Sequence, residues 1–246
     1  METSDVVANI FKAAAALGLA APTLAAKGKS YEIWVMLELA TRLDAVGVVA
    51  TPVGPNDALV EDFVFRGAPG HMPGADAGDD APSHIRLERN DQAFEMHIGL
   101  QHVGVSEATH ELDICVIPSW FAHQLRQDGG GPYRGPLCVA LELKALSDKY
   151  KLDQGIPRAL VGVAVDLDPT WPIVEWTFKT SGGHARSFTR SRHRERFSLV
   201  TATQLYNNSI LYLEHHGARP AEKVLPGNNE HFLDDIVSEI LDLFPA

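Results

Sequence analysis

Cysteine is nearly absent from this chain. There are two, Cys115 and Cys138, with no second Cys or His at zinc-module spacing. They read as small buried hydrophobes in a reducing cytosol rather than as a disulfide or a metal site. No His-Glu-x-x-His run, nucleotide-binding glycine loop, helix-turn-helix, internal repeat or heptad array is present, so the metalloprotease, P-loop and coiled-coil classes have nothing to stand on. Net positive charge is also missing. At −11 the surface as a whole repels phosphate, and a nucleic-acid enzyme of this charge needs a local basic patch or metal ions. Long apolar runs are lacking too. The uncharged stretch 13–26 is interrupted by Gly18 and Pro22 and follows Glu2 and Asp5, which suits neither a secretory leader nor a membrane span. It reads as a cytoplasmic N-terminal helix followed by a linker.

What remains is an ordinary globular composition, 45% hydrophobic and 22% charged over 246 residues, enough for a sizeable core. The organisation expected is an N-terminal helix and linker over 1–27, then one domain over 28–246. That domain has a core to about residue 180 and a C-terminal extension beyond it.

Two short apolar runs organise the chain. One is His110-Glu111-Leu112-Asp113-Ile114-Cys115-Val116-Ile117-Pro118. The other is Leu137-Cys138-Val139-Ala140-Leu141-Glu142-Leu143-Lys144-Ala145. β-branched and aliphatic residues bounded by turn residues make each a buried strand. Yet Asp113 lies in the first, and Glu142 and Lys144 in the second. Charges in apolar strands are costly unless neutralised. Side chains alternate along a strand, so Glu142 and Lys144 share a face, and Asp113 joins them if the strands are neighbours. Two carboxylates and an ammonium at a strand end suit a hard divalent ion such as Mg²⁺. The competing reading is a structural ion pair in a half-buried sheet.

Before these strands, the periodicity predicts a helix to about Leu19 and a stronger one from Tyr31 to Val46, with Ile33, Met36, Leu37, Ala40 and Leu43 on its core stripe. Glu32 shares a face with Val35, Met36 and Leu39, whereas Glu38 stands four before Arg42 as an exposed pair. Strands are expected over 48–53 and 58–65, and a flexible loop over 67–82. A hairpin over 84–103 turns at Asn90-Asp91, with Glu88, Glu95, His97 and His102 expected on its wet face. His110 reads as structural. A short helix follows at 120–126. The run 156–167 reads as helix or strand, 172–179 as a strand, and 229–244 as an amphipathic closing helix. Arg186, Arg190, Arg192, Arg194 and Arg196 form the one basic cluster, either a solvated face or the place where a nucleic-acid backbone lies.

An acid on one strand followed by acid-any-Lys on the next resembles the PD-(D/E)XK nuclease superfamily. Asp113 and Glu142-Leu143-Lys144 carry the pattern, although Leu112 stands where a literal motif has Pro. Gly28-Lys29-Ser30-Tyr31-Glu32 also looks like the family's first-helix motif. The resemblance runs from Gly28 to about Asp166. It implies an α+β, restriction-endonuclease-like fold, a mixed β-sheet flanked by helices. It implies metal-dependent phosphodiester hydrolysis of nucleic acid, DNA first, with defence against foreign DNA among the roles it would fit. Asp113, Glu142 and the Leu143 carbonyl would hold Mg²⁺, or Mn²⁺ in its place. Lys144 would position the water, and Glu32 would complete the metal shell. A polar residue on the following helix, Arg158 or Gln154, would face the phosphate, and Arg190, Arg192 and Arg194 would hold the backbone. Target recognition would fall to a homodimer or a partner protein. The alternative is a nuclease-like domain that binds nucleic acid or a protein without cutting.

Overall fold

The computed structural model describes residues 3–19, 29–145, 151–168, 176–179, 185–188 and 196–244. Helices α1 (Thr3–Ala16) and α2 (Ser30–Ala45) lead into strand β1 (Val49–Val53). Then come β2 (His84–Arg89), β3 (Gln92–Val103), β4 (Thr109–Pro118), α3 (Ser119–Gln127) and β5 (Val139–Lys144). Helix α4 (Gly155–Leu167) and the two-stranded ribbon β6 (Trp176–Lys179) and β7 (Ala185–Phe188) follow. The chain closes with β8 (Phe197–Thr201), α5 (Asn207–His215), β9 (Arg219–Glu222) and α6 (His231–Leu241).

Seven strands form one sheet in the order β1-β2-β3-β4-β5-β8-β9. β1 through β5 are an antiparallel meander. β8 and β9 run parallel to β5 and to each other. Parallel neighbours need a crossover, and α4 and α5 lie in the two connections. The mixed sheet flanked by helices is an α+β fold, as the sequence leads one to expect.

Helices cover both faces of the sheet. On one side, α1, α2 and α6 pack on Ile85, Met96, Ile98, Ile114, Leu141 and Leu143. On the other, α3, α4 and α5 pack on Leu100, Leu112, Cys115, Ile117 and Leu199. The α2 stripe is buried as its periodicity requires, and Trp34, Val35 and Leu39 are buried as well. α1 lays Val6, Ile10, Ala13 and Ala14 into the same core. The β2–β3 hairpin turns at Asn90 and Asp91, with φ of 51° and 59°. Two successive left-handed residues are what a two-residue turn between twisted strands needs.

Three expectations are corrected or resolved. The run 58–65 is not a regular strand, and Leu59 makes only an isolated bridge to Val53. Asp57, with φ of 62°, turns the chain there, and the apolar residues beyond find no continuing ladder. The run 156–167 is helix, because Pro157 sits in its first turn and Leu160, Val161 and Ala164 fall on one buried face. Glu95, His97 and His102 are not on a wet face. They are 1%, 5% and 2% exposed, because this part of β3 is covered on both sides. Glu88 is half-buried and pairs with Arg86.

Candidate functional site: the seam between β4 and β5

β4 and β5 pair over only three positions, from Val116–Val139 to Ile114–Leu141. Beyond Ile114 the two strands part. Asp113 closes the gap, its Oδ2 accepting the Leu143 N–H at 2.6 Å. A strand residue's N–H and C=O point to the same side, so the Leu143 carbonyl faces the same gap. Lys144 is fixed through its own carbonyl, which accepts from the Thr201 hydroxyl at 3.0 Å and the Ala202 N–H at 3.0 Å. Its ammonium stands 2.6 Å from Glu142 Oε1 and 3.4 Å from Asp113 Oδ2. Asp113, Glu142 and Lys144 therefore converge.

The sheet also changes sides here. The pair Ile98–Ile114 faces the α2 layer, whereas Leu100–Leu112 faces the opposite core. Between them Gly99 stands opposite Asp113, with φ of 62°. A left-handed residue is what lets the ladder roll over at this point, and the roll brings Asp113 to the opening rather than under either helix layer.

Glu32 comes to the site from the first turn of α2. Lys29 Nζ lies 2.9 Å from Glu32 Oε2 and 3.6 Å from Glu111 Oε1. Glu111 is two residues before Asp113 on β4. The sequence reading missed Lys29 and Glu111, although three-residue spacing on a helix start and two-residue spacing on a strand were signals for both. Glu38 turns away, to Arg42 at 2.9 Å, and Arg42 also binds Glu230 and Asp234.

The charge balance is negative, because the carboxylates of Glu32, Glu111, Asp113 and Glu142 meet the ammonium groups of Lys29 and Lys144. Burial raises the Glu142 pKa, the Asp113 charge adds to this, and Lys144 only partly offsets it. Burial likewise raises Glu32 against the pull of Lys29. Burial opposes the charge on Lys144, but Asp113 and Glu142 outweigh it and hold the ammonium pKa up. A site whose acids resist ionisation when alone, and whose lysine stays charged, is short of positive charge. All the candidate donors are oxygens, which suits Mg²⁺ or Mn²⁺ rather than zinc.

Of the other residues singled out in the sequence, Arg158 is exposed on α4, and Gln154 is its N-cap residue. Lys151 lies over the Tyr206 ring at 5.2 Å. His110 pairs with Asp166 at 2.6 Å, a structural link between β4 and α4. Arg196 pairs with Asp168 at 3.1 Å. Arg186 is on β7. Arg190, Arg192 and Arg194 lie outside the described residues.

A second cluster could hold a metal. The ligand atoms of His84, Glu95 and His97 lie within 4.8 Å of one another, the one such trio among the described residues. However, Arg126 takes both Glu95 oxygens at 2.7 Å each, and its Nη2 also reaches Asp57 at 2.9 Å. His97 sits 2.9 Å from Glu95. The guanidinium already meets the charge on Glu95. The cluster ties β2, β3, α3 and the Asp57 turn together whether or not a metal joins it.

Among the described residues, no helix is long and apolar enough to cross a membrane. No family model matches the chain, and no curated protein matches it. Among solved structures the chain is similar to the crystal structure of protein VC1899 from Vibrio cholerae, at 8% identity and a TM-score of 0.35. The similarity covers 89% of this chain, and the chain spans 35% of that protein's length.

Proposed function

We propose that the chain is a metal-dependent nuclease of the PD-(D/E)XK type. The observation that supports this best is the seam itself: Asp113 and Glu142 close on one Lys144 ammonium where β4 and β5 part. Glu32 enters the same charged cluster from α2 through Lys29 and Glu111. Asp113 spends Oδ2 on Leu143 and Lys144, which leaves Oδ1 for a metal. Asp113, Glu142 and the Leu143 carbonyl are the oxygen donors for Mg²⁺. When bound, the ion supplies Lewis-acid stabilisation of the charge that develops on the phosphate. Lys144 holds a proton-bearing ammonium beside the attacking position, where it orients water and faces the growing phosphoryl charge. Glu32, itself reluctant to ionise, keeps Lys29 in place and offers a further acceptor.

The test is incubation of the full chain with supercoiled plasmid, linear duplex, single strand and RNA, in Mg²⁺, Mn²⁺ or EDTA. Cutting is expected only with metal, and it should disappear in Glu142→Gln and Asp113→Asn. Retained binding with no cutting under any metal would replace this reading with that of a nuclease-like binding domain. DNA as substrate, and defence against foreign DNA as the setting, are parts of the proposal that the same substrate panel begins to sort.

A further inference from the structure

Arg66 is 8% exposed, yet among the described residues it has no ion pair and no acceptor for its N–H groups. Its Nε is sealed from solvent, whereas the Nη groups are not. Burial pulls its pKa down, and only the longer-range fields of Cys115 and then Glu111 act against it. Buried guanidinium groups are normally matched by a carboxylate. Every other charged group at the seam has an opposite charge in contact.

The surroundings are shaped to hold Arg66 there. Its stem runs past Gly99, where a Cβ would lie 3.2 Å from Arg66 Cδ, 3.5 Å from Glu111 Oε1 and 3.6 Å from Lys29 Nζ. Its Nη1 lies over Gly70, where a Cβ would collide with it. Gly70 is itself docked on β3, donating its N–H to the Gly99 carbonyl at 3.1 Å and accepting from Gln101 N–H at 3.0 Å. Two glycines thus leave the lane in which the side chain lies: the stem passes Gly99 and the guanidinium ends over Gly70.

We infer that Arg66 is an anion subsite, holding one phosphate of the substrate backbone at the Gly70 end of its lane. The identity of the anion rests on the nuclease reading, while the subsite itself rests on the unmatched cation. Guanidinium suits the task, since its planar fork takes two phosphate oxygens at once. Lys29, whose Nζ would lie 3.6 Å from a Cβ on Gly99 beside the Arg66 stem, adds a second positive charge from the α2 side. Glu111 is the opposing group, and Lys29 screens it at 3.6 Å.

The experiment uses the full chain in EDTA, with inorganic phosphate titrated against chloride of matched ionic strength and melting followed throughout. Wild type should show a saturable rise in Tm. Arg66→Met should lose it, and Lys12→Ala, at an exposed position on α1, should keep it. Arg66→Met without phosphate should melt no lower than wild type, because it removes a buried charge that has no partner. Should Arg66→Met fail to fold, Arg66→Lys decides: phosphate affinity about 10-fold or more weaker supports the subsite, since a charge-assisted fork is lost. Unchanged affinity in either variant, or no phosphate response in wild type, overturns it. The assay contains neither metal nor nucleic acid. A chain that never cuts can therefore still pass it, and a chain that cuts can still fail it.

Discussion

Asp113 does two jobs at once. Its Oδ2 replaces the backbone partner that the Leu143 N–H loses when β4 and β5 part. Asp113→Ala would leave that N–H unsatisfied, at a cost of about 1–3 kcal/mol. Asp113→Asn keeps an acceptor and is the cleaner variant for separating chemistry from fold. Glu142 is different. Its raised pKa, set by burial and by Asp113, means that its charge is held at a cost above its ordinary titration range. Glu142→Gln in EDTA should therefore melt at or above wild type. On the proposed reading Mg²⁺ should raise the wild-type Tm, because a ligand bound only by the folded state stabilises it, and Glu142→Gln should lose that increase. A Glu142→Gln chain that keeps the full Mg²⁺ increment would remove Glu142 from the ligand set. The two helix acids can be ranked in the same way. Glu32→Gln should reduce cutting strongly. On the proposed reading Glu38→Gln should leave cutting intact; its pair with Arg42 is half-buried rather than exposed as the sequence suggests, so the cost falls on the link from α2 to Glu230 and Asp234. The opposite ranking would place the wrong face of α2 in the site.

At the scale of elements, the Glu95–Arg126 network is where β2, β3 and α3 are joined. Removing one partner of a buried pair costs about 3–5 kcal/mol, so Glu95→Gln should lower stability far more than any change at the seam, as urea denaturation would show. The network also sets a response to acid. Burial, the largest cause, holds His97 down to about 4 from 6.5, and burial holds His102 down to about 3. Both are depressed, so the folded state refuses protons that the unfolded chain accepts. The stability they contribute is complete above pH 6.5 and falls as pH drops from 6.5 towards 4. Melting across that window should show a steep decline, and His102→Phe should flatten it.

The sequence made Asp113, Glu142 and Lys144 legible because charges inside apolar strands stand out against period-two burial. The hairpin at Asn90-Asp91 and the α2 stripe were legible for the same kind of reason, a local pattern with one physical reading. Glu95, His97 and His102 were misread because alternation shows which residues share a face, not whether a helix from elsewhere covers it. Arg126, which makes Glu95 tolerable inside, is far along the chain and looks like any polar residue of a short helix. Arg66 gave no signal at all, since a loop position has no periodicity and the two glycines that admit it lie apart in sequence.

For the whole molecule, the sheet is built from two kinds of connection. β2, β3 and β4 follow one another through short turns, so their contacts are local. β8 reaches β5 only after α4 and the β6–β7 ribbon, and β9 only after α5. Contacts between residues near in sequence form faster than those needing long loop closure. Native amide exchange follows local opening instead, so it should be slow in the central strands β3, β4 and β8 and measurably faster in the edge strand β9, as a peptide-resolved time course would show. Equal protection across all seven strands would contradict this. The seam lies where the antiparallel meander meets the parallel strands. Asp113 belongs to the meander, whereas the carbonyl of Lys144 is held by Thr201 and Ala202 at the end of β8. Glu142 and Lys144 share β5, so a chain in which β5 has paired with β4 but not with β8 would hold both side chains on a strand anchored along one edge only, and the spacing of the cluster depends on two connections far apart in the sequence.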